Sequence, residues 1–312
     1  MPNDTAVSCN NLCKMFGSFC AVDNLTFEVK RGQIFGFLGP NGSGKSTTIR
    51  MLCGLITPSS GSALVGGFNI THEAEIVRRN IGYVSQKFSL YEDLTVLENL
   101  QFYSGIYGLR GAERIERIEE GLERIDLTEQ RNLFVKDLSM GVRQRLSLAA
   151  ALMHHPPILF LDEPTSGVDP ISRRRFWELI YELAAQGVTI LITTHYMDEA
   201  EHCNRIVMIR DGKLVGNDTP AGLKKSLMPG PVILIRCDKP YEAMSALYSL
   251  PVVHDVSLYG RSLHAAVTGN KGAVEAITAA LNSAGIVIEE IVPTETTLED
   301  VFIAISSKGS EV

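Results

Sequence analysis

The sequence predicts an α/β chain in two domains, on three observations. An apolar run, Ile34-Phe35-Gly36-Phe37-Leu38, feeds a glycine-rich loop and then a helical stretch from Ser46 to Cys53 that Gly54 stops. A second apolar run, Ile158-Leu159-Phe160-Leu161, delivers an acidic pair, Asp162-Glu163, to its carboxyl end, where open parallel sheets place their active groups. Beyond residue 231 the pattern becomes strand, helix, strand, strand, helix, strand, the order of a small ferredoxin-like α+β domain. The expected division is a core domain over 5–225 with a helical block inserted at about 88–156, a linker at 226–231, and an accessory domain over 232–306.

Composition agrees with this division. A chain of 312 residues suits about two domains, and 45% hydrophobic with 21% charged residues is ordinary for a globular protein. No apolar run approaches the ~20 residues that a bilayer span needs. Met1-Pro2-Asn3-Asp4-Thr5 lacks the charged and apolar regions of a signal peptide, so a cytoplasmic chain is expected. The net charge of −7 argues against a nucleic-acid partner. It argues equally against electrostatic adhesion to anionic lipid, so any membrane contact should run through a protein partner. The six cysteines match no metal or disulfide framework and are expected to be reduced thiols.

The loop itself, Gly39-Pro40-Asn41-Gly42-Ser43-Gly44-Lys45-Ser46-Thr47, fits the phosphate-loop pattern G-x-x-x-x-G-K-[S/T] residue for residue. Its glycines let the backbone wrap a triphosphate closely, and successive N–H groups and the helix N-terminus then face the phosphates. Lys45 should reach the β- and γ-phosphates, and the Ser46 hydroxyl should sit on Mg²⁺.

Taken in order, residues 5–38 read as short strands, with Leu25-Thr26-Phe27-Glu28-Val29-Lys30 alternating apolar and polar before an Arg31-Gly32 turn. Phe16 stands just before a turn and reads as either a core aromatic or a stacking platform for adenine. Ala63-Leu64-Val65 and Asn69-Ile70 are short strands, and Ile81 to Gln86 is another. Residues 94–125 switch to helical periodicity, with Leu94, Leu97 and Leu100 on one face, then Ile115, Ile118, Leu122 and Ile125 among charges. Ser139 should cap a helix from about 140 to His154, which Pro156-Pro157 ends. After the acidic pair come a turn at 166–169, a helix over about 171–186, a strand over 188–194 with His195 at its end, and a hairpin turning on Asp211-Gly212. The accessory domain is expected as strands 232–237, 252–258, 261–267 and 286–292, with helices 240–249 and 271–284.

Together these motifs resemble the ATPase subunit of an ABC transporter, a P-loop NTPase core with an antiparallel β-subdomain and an inserted helical subdomain, over residues 5 to about 220. Residues 39–47 match Walker A, 158–163 Walker B, Gln86 the Q-loop, 166–169 with Asp169 the D-loop, and His195 the switch histidine. The resemblance implies Phe16 stacking on adenine, and Mg²⁺ held by Ser46 and Asp162 with Gln86 as a further ligand or sensor. It also implies Glu163 as the general base and His195 on the γ-phosphate. Residues 138–142 resemble the L-S-G-G-Q signature, with Met140 for its first glycine and Val142 for its glutamine, while Ser139 and Gly141 are kept.

One signature and one phosphate loop per chain imply a head-to-tail pair, either two copies or this chain with a related ATPase subunit. Each ATP then lies between Lys45 of one chain and Ser139 of the other. Thr194-His195-Tyr196-Met197-Asp198-Glu199-Ala200 and Thr297-Leu298-Glu299-Asp300-Val301-Phe302 resemble ABC-2 type exporters, including drug-efflux subunits. The implied partner is a separate membrane-spanning permease that holds the chain at the cytoplasmic face of the inner membrane, with Tyr91-Glu92-Asp93-Leu94-Thr95 as the contacting segment. The other reading is a soluble ABC-type ATPase switch, against which stand the single cassette, the acidic balance and the lack of a long coiled-coil insertion. If the loop binds phosphate as its residues require, Lys45→Ala loses ATP affinity in a direct binding titration; unchanged affinity contradicts the loop assignment.

Overall fold

The computed structural model describes residues 4–86, 89–269 and 272–307. Met1–Asn3, the expected first residue of the helical block (88) and the expected first residue of the second accessory helix (271) lie outside the described residues. The chain divides into two compact units, Met1–Asn217 and Asp218–Val312.

The first unit opens on a long hairpin, β1 (Thr5–Phe16) and β2 (Phe19–Lys30). These strands are longer than the sequence pattern suggested. Register shifts between Cys9 and Leu12 and between Leu12 and Lys14 break the alternation that would have marked β1 as one strand. Then follow β3 (Ile34–Leu38), α1 (Lys45–Leu52), β4 (Ser60–Val65), β5 (Phe68–Asn69), α2 (Ala74–Arg79) and β6 (Ile81–Val84). The helical block holds α3 (Val96–Ile106), α4 (Gly111–Arg124) and α5 (Met140–Leu152). The core resumes with β7 (Ile158–Asp162), α6 (Pro170–Ala185), β8 (Thr189–Thr194), α7 (Met197–Ala200), β9 (Arg205–Arg210) and β10 (Lys213–Asp218).

Two sheets form this unit. The first has the order β10-β9-β3-β8-β7-β6, with β9, β3, β8, β7 and β6 running parallel. Every residue of β3, β7 and β8 is buried, as strands covered on both faces must be. The second sheet is antiparallel, in the order β2-β1-β4-β5. Phe27 of β2 joins the two by packing on Phe35 and Phe37 of β3, with ring centroids 5.7 and 5.3 Å away. This aromatic cluster fixes the strand from which the phosphate loop springs.

In the helical block, a reciprocal capping box between Thr95 and Glu98 starts α3. Its buried stripe is Val96, Asn99, Leu100 and Ser104, so the expected Leu94–Leu97–Leu100 face is displaced: Leu94 precedes the cap and Leu97 is half-buried. In α4, Ile118 and Leu122 are buried as expected, but Ile115 is 65% exposed.

The second unit holds α8 (Pro220–Leu227), β11 (Val232–Cys237), α9 (Pro240–Tyr248), β12 (Val253–Tyr259), β13 (Ser262–Val267), α10 (Ala273–Ser283), β14 (Ile288–Thr294) and α11 (Leu298–Ser307). Its sheet order, β12-β13-β11-β14, with antiparallel pairing throughout, is that of a ferredoxin-like domain. Ala243 and Leu247 of α9 and Ile277 and Leu281 of α10 build its core against Ile233, Ile235, Leu263 and Ala265. Residues 220–227, read from sequence as the end of the first domain and the start of the linker, instead form α8, which packs on α11. A buried contact of 2.9 Å between His264 Nδ1 and Asp300 Oδ1 ties β13 to α11.

Candidate functional site

The parallel register decides what meets at the sheet's carboxyl edge. Leu38 pairs with Thr194, and Asp162 with Thr193, so the phosphate loop, the acidic pair and His195 all leave the sheet at one level. Gly44 closes the loop at a φ of 102°, where an added Cβ would lie 2.4 Å from the Ala21 carbonyl oxygen. Only glycine meets both demands. Helix α1 begins at the next residue, which aims its unsatisfied N–H groups into the loop.

Lys45 and Glu163 form the centre. Their side chains are 3% and 6% exposed, and Nζ lies 3.5 Å from Oε1. Lys45 also donates to the carbonyls of Gly39 at 2.9 Å and Pro40 at 3.1 Å. Burial pushes its ammonium below the ordinary lysine range, while the nearby Glu163 and Asp162 work against that shift. The other oxygen of Glu163 accepts from Gln86 Nε2 at 3.1 Å and lies 3.3 Å from His195 Nδ1. The histidine contact is in ion-pair range but not in hydrogen-bond line, since Nδ1 has no hydrogen-bond partner.

Glu163 has a φ of 49°, the left-handed region that costs a non-glycine residue about 1 kcal/mol or more. Its N–H, bonded to the Thr193 hydroxyl at 2.9 Å, holds it there. The same hydroxyl donates to Asp162 Oδ1 at 2.8 Å, and the Ser46 hydroxyl donates to that oxygen at 2.7 Å. Asp162 Oδ2 is buried with no hydrogen-bond partner, as is the Ser43 hydroxyl. An orphaned carboxylate oxygen beside Ser46 suits a hydrated cation. Among the described residues no group of three His, Cys, Asp or Glu side chains could hold a metal unaided.

A cleft of about 340 Å³ opens over this centre, lined by Phe16, Asn41, Gly42, Lys45, Ser46, Thr47 and others. Phe16 is 52% exposed at its rim, which excludes the core-aromatic reading, and Phe19 stands beside it. Sequence reasoning passed over Phe19 and Thr193. The first carries only the signal of an aromatic after a Gly turn. The second is a β-branched hydroxyl inside an apolar strand and looks like a core residue.

Ser139, Gly141 and Asp169 do not line this cleft. Ser139 is the exposed N-cap of α5, yet its hydroxyl makes no capping bond, so the expected cap is positional only. Gly141 has a packing reason of its own: a Cβ there would lie 2.3 Å from Ser172 Cβ on α6. Asp169 caps α6 by accepting from the N–H groups of Ile171 at 3.1 Å and Ser172 at 2.9 Å, which hold its carboxyl below the usual range. All six cysteines are free.

A phosphate loop, an acidic pair and a strand-end histidine on a parallel sheet, with an antiparallel sheet and helical block attached, define an ATP-binding cassette. The ABC transporter family model matches residues 22–166. Probable multidrug ABC transporter ATP-binding protein YbhF of Escherichia coli (strain K12) is 51% identical over 223 residues, 72% of this chain and 39% of its own length. This chain therefore spans well under half of YbhF. Daunorubicin resistance ATP-binding protein DrrA3 of Streptomyces coeruleorubidus is 35% identical over 311 residues, 99% of this chain and 98% of its own. A dimeric post-hydrolysis state of the ATP-binding cassette MJ0796, bound to ADP and Pi, superposes with a TM-score of 0.63 at 31% identity, covering 68% of this chain and 98% of that one. The chain belongs to the ABC transporter ATP-binding family.

The packing account of Gly141 makes a prediction separate from nucleotide chemistry. Gly141→Ala should destabilise the full chain by about 1–3 kcal/mol in denaturant unfolding, and Ser172→Gly should recover most of that loss. A Gly141→Ala chain as stable as the parent contradicts it.

Proposed function

We propose that this chain is the ATP-hydrolysing motor of an exporter, working on a separate membrane-spanning subunit. One observation carries the catalytic reading: Lys45, Gln86 and His195, from three separate segments, converge on the buried carboxyl of Glu163. Phosphoryl transfer to water needs neutralised phosphate charge and an oriented nucleophile, and little else from the protein.

In this reading Lys45 and the loop amides take the β- and γ-phosphates, and Phe16 receives the adenine. A bound triphosphate offers Lys45 a stronger counter-charge than Glu163 does. Glu163, so released from the ammonium, accepts the proton of the attacking water. His195 touches the γ-phosphate and keeps the carboxyl in line, and Gln86 reports on both. Ser46 and Asp162, with Gln86 as a further ligand or sensor, would hold Mg²⁺, which would supply neutralisation of the phosphate charge. The exposed Ser139 hydroxyl, with Gly141 and Asp169, serves the ATP of a second cassette, either another copy or a related subunit in head-to-tail pairing.

The exporter role rests on relatives named for multidrug transport and daunorubicin resistance. Among the described residues no helix is long and apolar enough to cross a membrane. In this reading, which rests on the relatives' names, a separate permease carries the pathway and holds the chain at the cytoplasmic face. The segment Tyr91 to Thr95 is the assigned contact. Tyr91 is half exposed on an edge-to-face contact with Phe102, 4.7 Å between centroids. Arg143, one turn into α5, donates to Glu92 at 2.8 Å and to the carbonyls of Lys136 and Leu138 at 2.6 and 3.0 Å. A permease pressing on residues 91–95 therefore has a direct mechanical route to Ser139.

Glu163→Gln keeps the shape of the site and removes the base. Turnover in a phosphate-release assay should fall by ~10²–10⁴ with ATP binding retained. Near-normal hydrolysis by this variant removes Glu163 from the role.

A further inference from the structure

Among the described residues, Glu199 is the most deeply buried acidic side chain that the chemistry leaves unused. Glu199, on the four-residue α7, is 1% exposed and lines no part of the nucleotide cleft. An acidic side chain at that depth has to be matched by its neighbours, because desolvation otherwise costs more than any packing gain. Its partners come from three elements, and each sits beside a residue of the site.

The first partner is Thr165, two residues after Glu163, whose hydroxyl donates to Glu199 Oε1. The second is Thr194, the residue before His195, whose hydroxyl donates to Oε2 at 2.7 Å and accepts from the Tyr196 N–H at 2.9 Å. The third is Arg173 on α6, with Nε 3.5 Å from Oε1 in an ion pair without hydrogen-bond alignment. Arg173 also donates through Nη2 to the Val168 carbonyl at 3.3 Å, inside the 166–169 loop, and pairs with Asp198 at 3.6 Å. Its guanidinium lies 4.7 Å from the Tyr196 ring centroid, and that ring in turn lies 4.1 Å from the His195 ring.

We propose that Glu199 and Arg173 form a positioning strut that locks the Glu163 turn, the His195 strand end and the 166–169 loop into one arrangement, and that turnover depends on that lock. The strut touches no nucleotide. It sets where the carboxyl and imidazole stand relative to each other, and it joins both to the loop assigned to the second cassette. A shift at that loop reaches His195 through Arg173 and Tyr196 without passing through the nucleotide. The claim rests on the reading of Glu163 and His195 as the groups that act on the γ-phosphate.

The test compares full-length Glu199→Gln, Arg173→Ala and the double variant, with His195→Ala beside them. Misplacement of a reacting group by about 1 Å costs on the order of 10²-fold, so kcat should fall by roughly 10- to 100-fold in both single variants. ATP affinity and the thermal midpoint should stay close to the parent's, which a general structural defect would not allow. The double variant should be no slower than the slower single one, because both break the same lock. Arg173 is partly exposed, so its variant carries the test if Glu199→Gln does not fold. Turnover near the parent's in the strut variants, with His195→Ala impaired, overturns the strut alone. So do losses that multiply independently, or losses matched by an equal fall in ATP affinity. An unimpaired His195→Ala overturns the catalytic reading and the strut with it.

Discussion

The contact between Lys45 and Glu163 is one the rest of the site is built to satisfy. Two opposite charges 3.5 Å apart and almost without solvent are tolerable only when each has further partners. Lys45 finds them in the carbonyls of its own loop, and Glu163 in Gln86 and the Thr193 hydroxyl that bonds its N–H. Those partners are in place because β3, β8 and β7 run parallel and in register, so three loops far apart in sequence leave the sheet together. The Phe27–Phe35–Phe37 cluster locks β3 against the antiparallel sheet and thereby fixes the loop's origin.

The same contact limits what the isolated chain can do. With Lys45 engaged by Glu163, the proposed base and the proposed phosphate ligand neutralise each other until a triphosphate competes for the ammonium. Glu163 is held meanwhile at a φ of 49°, so the backbone around this carboxyl is already constrained before nucleotide arrives. Glu199, which lines no part of the cleft, ties Thr165 and Thr194 together behind that constraint.

Much of this was legible in the sequence wherever the chemistry is local. The phosphate loop is contiguous, so its glycines, Lys45 and Ser46 declare themselves by spacing. Glu163 and His195 stand out because each follows directly on the end of a strand-forming run. The accessory domain's βαββαβ order could be read because its strands and helices are short and regular. What stayed hidden depends on pairing across the sheet. Thr193 acts on residues about thirty positions away, and its β-branched side chain resembles its core neighbours. The β1–β2 hairpin was read as short strands because bulges interrupt its alternation. Ile115 fits the helical period of α4 yet faces outward, since the charged surface around it leaves the buried face to Ile118 and Leu122.

Ser139 stands exposed at the head of α5, where its carbonyl accepts from the Arg143 N–H at 3.0 Å but its hydroxyl makes no capping bond. In the proposed reading the cleft is half of a site that a second cassette completes. Mixing two inactive chains tests this most directly. Lys45→Ala retains Ser139, and Ser139→Ala retains Lys45, so a head-to-tail pair of the two contains one intact composite site. The account predicts that each variant alone is impaired in ATP hydrolysis and that the mixture regains activity. A mixture no more active than the sum of its parts, or a fully active Ser139→Ala chain, contradicts it.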